Sequence, residues 1–101
     1  MSRSLRDASF ASPLNLGEFN PLPPGWKITV FCNADAAGDT VTIMIGGIRV
    51  AQLELGVEAA AGRGPLVQDD FVAEWRNNTA SPLDIAITTT GDNDDILVFL
   101  D

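Results

Sequence analysis

The sequence predicts an all-β protein: an antiparallel β-sandwich or small barrel, with jelly-roll or Greek-key-like wiring, that carries an extended N-terminal arm. Three observations support this. After residue 25 the apolar residues recur with a period of two rather than the helical period. Turn-forming residues separate the alternating runs, and no stretch has the apolar spacing of a helix. The 101 residues suit one domain, which we divide into an arm over residues 1–25 and a β-sandwich over residues 26–101.

The arm has neither a strand nor a helix period, and four prolines interrupt it: Pro13, Pro21, Pro23 and Pro24. Proline-rich segments with scattered apolar residues favour an extended conformation that docks into grooves. The arm either wraps its own sandwich, where it would add an edge strand, or reaches a neighbouring subunit. We predict the second arrangement. The candidate partner-binding residues are Leu5, Phe10, Leu14, Leu16, Phe19 and Leu22.

The first two strands of the sandwich are predicted over residues 26–33 and 39–45, with the clearest turn signal just after them. Gly46 and Gly47 separate two alternating runs, which indicates a two-residue hairpin because that turn requires positive φ. This loop length predicts that Ile45 pairs with Ile48 and Met44 with Arg49. It also predicts pairs between Ile43 and Val50, Val41 and Gln52, and Thr42 and Ala51.

Three further strands follow a loop over residues 56–65, which we expect to contain at most one helical turn. Residues 71–77 alternate, with Phe71, Ala73 and Trp75 predicted to face inward. Residues 83–90 send Leu83, Ile85 and Ile87 inward. Residues 96–100 are apolar on both faces, which predicts a strand in the middle of a sheet or one covered by a neighbour.

Composition excludes several classes of function. The net charge is −8, and it is uneven: residues 1–30 carry +1 and residues 31–101 carry −9. An acidic body repels phosphate backbones, so we expect no nucleic-acid partner. The sequence has no histidine, which removes Ser-His and Cys-His nucleophilic pairs and imidazole metal ligands, so we expect no enzyme. No apolar run is long enough to cross a bilayer, so we expect no membrane partner.

A secretory signal peptide is not expected at the N-terminus, because Arg3 and Arg6 are followed by polar residues rather than by an apolar central region. We therefore expect cytoplasmic synthesis. Cys32 is the single cysteine, which excludes an intrachain disulfide. Its phase with Ile28 and Val30 predicts a small buried hydrophobic residue rather than a reactive thiol.

Residues 91–95 form the best candidate for a metal site. Closely spaced carboxylates suit calcium, and the candidate ligands are Asp92, Asp94 and Asp95. The same composition is what a tight hairpin turn selects. The turn is the favoured interpretation, so no cofactor is expected.

Two aromatic residues and one loop offer candidate contacts. Trp26 and Trp75 are candidate sugar-stacking platforms, although the alternation of Trp75 with apolar residues favours a place in the core. Arg63, at a loop tip between two glycines, is a candidate for contact with a partner, and a solvated loop is the alternative.

The layout of the chain resembles the small decoration, or cement, proteins of tailed-phage capsids. The features that carry the resemblance are the arm over residues 1–25, the Gly46-Gly47 hairpin and the apolar last strand over residues 96–100. It implies a non-enzymatic structural protein on the virion surface that forms homo-oligomers, often trimers. Its arm would bind the major capsid protein. The alternative is a carbohydrate- or receptor-binding β-sandwich module.

Overall fold

A computed structural model describes residues 3–57, 65 and 70–101, and it confirms the predicted all-β sandwich. Two antiparallel sheets pack together, with the strand orders β1-β7-β2-β5 and β4-β3-β6. One 3-10 turn spans Gly17–Phe19, and no helix among the described residues is long and apolar enough to cross a bilayer. The strands are β1 (Arg3–Phe10), β2 (Lys27–Asn33), β3 (Thr40–Ile45), β4 (Ile48–Glu54), β5 (Phe71–Arg76), β6 (Ile85–Thr89) and β7 (Asp94–Leu100).

The core lies between the two sheets and is built from alternate residues of each strand. This alternation follows from the pleat, which sends successive side chains to opposite faces. The last strand, β7, lies between β1 and β2 in the middle of its sheet, as its apolar sequence predicts. Buried aliphatic residues of β2, β3, β6 and β7 lie at the centre of this core: Ile28, Val30, Val41, Ile43, Ile45, Ile85, Ile87, Ile96, Val98 and Leu100.

The predicted Gly46-Gly47 hairpin joins β3 to β4. Both glycines have positive φ, 60° and 80°, and the pairs Ile45–Ile48 and Met44–Arg49 form as predicted. The pairing then shifts at a β-bulge, where Val50 is the additional residue on β4.

The bulge overturns the remaining predicted pairs of the hairpin. Ile43 pairs with Ala51, Val41 with Leu53 and Thr42 with Gln52. A one-residue shift moves side chains to the opposite face of a strand. It therefore brings Leu53, rather than Gln52, beside the buried Val41.

A second bulge lies between β2 and β5, and it corrects the predicted orientation of Phe71. Val30 pairs with Ala73 and Phe31 with Phe71, so Val72 is the additional residue. Val72 is buried, whereas Phe71 lies on the outer side and is 49% exposed. Ala73 and Trp75 do face the core, against which both are partly buried.

The N-terminal segment is part of the sandwich, so a separate arm over residues 1–25 is not confirmed. Residues 3–7 of β1 pair antiparallel with β7 as the edge strand of the four-stranded sheet. The chain then crosses to the other sheet through residues 12–22, which we call the strap. Within the strap, Leu14 donates its N–H to the carbonyl of Ile87 at 3.0 Å, and Leu22 forms a β-bridge with Leu83.

Side chains of the strap satisfy the exposed edge of β6. The hydroxyl of Ser12 accepts a hydrogen bond from the N–H of Thr89 and donates one to its carbonyl, both at 2.6 Å. The side-chain carbonyl of Asn20 accepts the N–H of Ile85 at 2.9 Å. The strap therefore closes a sheet edge that would otherwise be open to pairing with another chain.

The six candidate partner-binding residues of the arm lie against the chain's own core. Phe10 and Leu22 are fully buried, Leu14 and Leu16 are nearly so, and Leu5 and Phe19 are partly buried against the same cluster. The arrangement in which the segment wraps its own sandwich and adds an edge strand is the one that the structure shows. The physical reason for this arrangement is the burial of large apolar side chains, because the core of the sandwich offers them an apolar surface within the same chain.

Candidate functional site

The outer face of the four-stranded sheet carries a cluster of large apolar side chains. Three of them form one row across the sheet, because Phe31 of β2 pairs with Leu97 of β7 on one side and with Phe71 of β5 on the other. Phe99 belongs to the neighbouring row, opposite Thr29. We call Phe31, Phe71, Leu97 and Phe99 the outer aromatic face.

The aromatic rings of this face contact one another edge to face. The ring of Phe31 lies 5.9 Å from that of Phe71, at an interplanar angle of 68°, and 5.9 Å from that of Phe99, at 83°. Edge-to-face contact is a favoured geometry for aromatic pairs. Phe31 is thereby buried at the centre, whereas Phe71 remains half exposed. The result is an ordered aromatic surface on the side that turns away from the three-stranded sheet.

Charged residues of opposite sign lie at the two ends of this face. At the end of the face where β7 begins, Asp95 and Asp70 lie beyond Phe31. Arg6 binds Asp95 through two hydrogen bonds of 3.1 and 2.7 Å. Asp70 accepts a hydrogen bond from the side chain of Asn33 at 3.3 Å.

The opposite end of the face carries Lys27 and Arg76, which pair across β2 and β5. Lys27 lies 3.6 Å from Glu74, and Arg76 donates a hydrogen bond to the carbonyl of Gly25. The outer face therefore has two carboxylates and one arginine at one end, and two basic residues and one carboxylate at the other.

The structure assembles a different set of carboxylates from the one predicted over residues 91–95. Among the described residues, Asp35, Asp39 and Asp94 each present an oxygen within 4.8 Å of the others. Of the predicted calcium ligands only Asp94 belongs to this group. Asp95 instead pairs with Arg6 on the outer face, and Asp92 is exposed in the turn before β7.

Asp94 is the buried member of the cluster. The hydroxyl of Thr89 donates a hydrogen bond to one carboxylate oxygen of Asp94. The N–H of Gly91 donates in turn to the Thr89 hydroxyl at 3.1 Å. The other oxygen, Oδ1, is buried and receives no hydrogen bond from the part of the chain that the structure describes. Burial and the neighbouring carboxylate of Asp39 raise the pKa of Asp94 to about 6, against the opposing effect of Thr89.

Asp35 and Asp39 were missed as candidates because they lie in a different turn from Asp94. Both residues follow β2, and in the structure the end of β2 pairs with the start of β7 through Asn33 and Asp95. Adjacent strands bring the turns at their ends together. That inference needs the strand order, which the sequence does not supply.

Cys32 lies in the core, as its phase predicts, with 2% of its surface exposed. Burial raises the pKa of the Cys32 thiol well above its ordinary value, and the negative charges of Asp94 and Asp95 act in the same direction. Because the thiolate is the reactive form, this environment suppresses the chemistry of the cysteine.

The two tryptophans are partly buried against the core. Trp75 pairs with Ile28 on the inner side of the sheet, in agreement with the favoured interpretation. Trp26 lies beneath the guanidinium of Arg3, 5.7 Å from its ring centroid, in cation–π geometry. Intramolecular packing thus accounts for both rings, and neither supports the sugar-binding alternative.

Arg63 and most of the predicted loop over residues 56–65 lie outside the described residues. A surface groove of about 420 Å³ lies between the strap and β6, beside Leu14, Asn20 and Ile85. The side-chain carbonyl of Asn20, which lines the groove, accepts the N–H of Ile85.

Comparison of the chain with protein-family models, with curated proteins and with solved structures gives no match.

Proposed function

We propose that this protein is a non-enzymatic structural subunit that binds other protein subunits through its outer aromatic face, and that a second copy of the chain occupies this face. The observation that carries the proposal is the half-exposed ring of Phe71, held in edge-to-face contact with Phe31. Aromatic residues are enriched at the centres of protein interfaces, where they contribute most of the binding energy.

The gain from covering this ring is of a useful size. Full burial of an exposed phenylalanine side chain contributes about 1.5–3 kcal/mol. Phe71 is 49% exposed, so covering it adds roughly half of that value before the cost of association is subtracted. The partly exposed Leu97 and Phe99 lie beside it and would be covered together with it. Because Phe31 and Phe99 already hold one another in place, little additional side-chain ordering is needed on binding.

The charges at the two ends of the face favour a second copy as the partner. Asp70 and Asp95 outweigh Arg6 at one end, which leaves a net negative charge there. Lys27 and Arg76 outweigh Glu74 at the other end, which leaves a net positive charge. In a two-fold, antiparallel face-to-face arrangement, the acidic end of one copy meets the basic end of the other while the aromatic rows stack between them. A two-fold interface requires a surface that complements itself in this way.

Sedimentation velocity over a range of protein concentrations tests the proposal. We expect the wild-type chain to form a dimer and Phe71→Ser to sediment as a monomer. The matched control is Ile48→Ser, because Ile48 is also an exposed large apolar residue, 65% exposed, but lies on the β3–β4 hairpin. A wild-type chain that stays monomeric, or an equal effect of both variants, would overturn the proposal.

Charge reversal adds a test of the proposed arrangement. Arg76→Glu and Asp70→Lys should each weaken self-association, because each places like charges opposite one another in the dimer. Mixing the two variants should restore a heterodimer, since each altered residue then meets its complement. Failure of the mixture to associate would contradict the antiparallel arrangement.

We also propose that the larger assembly is a viral capsid, with the major capsid protein as a further partner. The support is the layout of a small, acidic, histidine-free β-sandwich, which resembles the decoration proteins of tailed phages. Cosedimentation of the purified chain with capsids assembled from the major capsid protein of the same genome tests this. Binding is expected, and its absence would contradict the capsid role without affecting self-association. The resemblance implies trimers and the two-fold face implies dimers, and the molar mass in solution distinguishes them.

A further inference from the structure

We propose that Asp35, Asp39 and Asp94 form a binding site for a divalent cation, and that Ca²⁺ is the ion. Asp35 and Asp39 lie in the loop between β2 and β3, and Asp94 begins β7. The site is independent of the outer aromatic face and of the proposed self-association. Failure of either proposal therefore leaves the other unaffected.

The buried carboxylate of Asp94 is the first argument for a ligand. One of its oxygens accepts a hydrogen bond from the Thr89 hydroxyl, and Oδ1 accepts none from any described residue although Asp94 is fully buried. An unsatisfied buried carboxylate oxygen is costly, and native structures rarely leave one without a partner or a bound ion. A cation between Asp94 and the two neighbouring carboxylates removes this cost.

Uncompensated charge is the second argument. Within residues 3–57, 65 and 70–101, the two salt bridges are those of Arg6 with Asp95 and of Lys27 with Glu74. Neither reaches the three carboxylates of the cluster. Three carboxylates with oxygens within 4.8 Å of one another repel strongly in a partly buried setting, and a divalent cation offsets that repulsion.

The position of Gly91 shows that the cluster is closely built. A Cβ on Gly91 would lie 2.5 Å from the carboxylate carbon of Asp39, so the absence of a side chain there lets Asp39 lie against the turn that leads to Asp94. Asp35, in contrast, is exposed. The site therefore has a buried floor and an open side through which an ion and its waters can enter.

The ligand chemistry favours Ca²⁺. The cluster offers oxygen ligands alone, which suits hard cations rather than zinc or copper. Ca²⁺ takes oxygen ligands at about 2.3–2.6 Å in a flexible geometry, whereas Mg²⁺ demands a near-ideal octahedron at about 2.0–2.1 Å and loses its waters reluctantly. Three carboxylates that come from two separate turns therefore suit Ca²⁺ better. Three carboxylates leave several coordination positions to water, so we expect a dissociation constant of about 10⁻⁵–10⁻³ M.

Isothermal titration of the full-length, chelator-treated protein with CaCl₂ tests the proposal, with thermal unfolding as a second measurement. We expect one Ca²⁺ per chain and a melting temperature that rises with Ca²⁺ concentration, because an ion that binds the folded state stabilises it. Asp35→Asn should weaken Ca²⁺ binding at least tenfold. Asp35 is exposed, so this variant should still fold.

Asp92→Asn provides the matched control, since it removes the same charge from an exposed residue two positions from Asp94 but outside the cluster. It should bind Ca²⁺ as the wild-type chain does. Absence of binding at 10 mM Ca²⁺, which is about ten times the weakest expected dissociation constant, would overturn the proposal. Equal weakening by Asp35→Asn and Asp92→Asn would also overturn it, because that result indicates diffuse attraction to an acidic surface. Saturable binding of Mg²⁺ with no binding of Ca²⁺ would overturn the choice of ion.

Discussion

The carboxylate of Asp39 fills the space that a side chain on Gly91 would need. A Cβ built on Gly91 meets the carboxylate carbon of Asp39 at 2.5 Å, a separation that real Cβ atoms do not show. This relationship joins the turn after β6 to the loop before β3. It favours glycine for a reason of space rather than of backbone conformation, because the φ of Gly91 lies outside the left-handed region.

Gly91→Ala should therefore destabilise the protein. The added methyl group must displace the Asp39 carboxylate, which is the end of a partly exposed side chain, so we expect a cost at the low end of overpacking, about 1 kcal/mol. Urea unfolding followed by circular dichroism measures it. Gly56→Ala is the control, because no atom of the described residues beyond its chain neighbours lies within 4 Å of a Cβ built on Gly56 and its φ is not positive. A loss of stability that is the same for both variants would show that the contact with Asp39 is not responsible.

Phe10→Ala should destabilise the isolated chain strongly. Phe10 is fully buried in the core at the end of β1, and truncation of a buried phenylalanine costs about 3–5 kcal/mol. Ser9→Ala, at an exposed neighbouring position, serves as the control and should change the free energy of unfolding little. A stable Phe10→Ala variant would indicate that this residue acts by docking on another protein, as the sequence suggests, rather than by packing in its own core.

The sequence-based prediction of the fold succeeded where the apolar residues alternate. The strands β2, β3, β6 and β7 have clear alternation or a continuous apolar run, and the Gly46-Gly47 turn fixes the beginning of the hairpin. The bulges at Val50 and Val72 could not be predicted, because a bulge adds one residue to one strand and leaves no compositional mark.

Sequence patterns could not define the N-terminal segment or the acidic cluster. The residues of β1 are mostly exposed, and this strand is fixed by its hydrogen bonds to β7 rather than by its own alternation. The strap is held by single side chains such as Ser12 and Asn20, which any loop can contain. Asp35 joins Asp94 only through the order of the strands.

The thiol of Cys32 should be unreactive in the folded protein. It is buried, and its raised pKa keeps it protonated. Titration with Ellman's reagent at pH 8 should therefore give no thiol reaction with the native chain and one thiol per chain in guanidinium chloride. Rapid reaction of the native protein would contradict the placement of Cys32 in the core.

Stability in the presence of a chelator should fall as the pH rises from about 4 to about 7. The pKa of Asp94 is raised from 3.8 to about 6 in the folded state, so the folded chain binds an additional proton over this window, and the stabilisation is lost as the pH passes the folded-state value. The groups that face Asp94 are Asp39, Asp35 and Thr89.

Comparison with Asp94→Asn isolates this contribution. The difference in the free energy of unfolding between the wild-type chain and Asp94→Asn should change by up to about 3 kcal/mol between pH 4 and pH 7. Chemical denaturation at a series of pH values measures it. A difference that does not vary with pH would show that Asp94 titrates in the folded protein as it does in the unfolded chain.

Amide hydrogen exchange of the intact, dilute chain tests most directly the claim that the N-terminal segment belongs to the sandwich. The informative groups are the N–H of Leu14, which binds the carbonyl of Ile87, and the N–H of Leu22, which binds that of Leu83 at 2.8 Å. We expect both to be protected to the same degree as the amides of Val30 and Val98 in the central strands. Exchange of Leu14 and Leu22 at the rate of an unstructured chain, with Val30 and Val98 still protected, would contradict this claim and indicate a free arm.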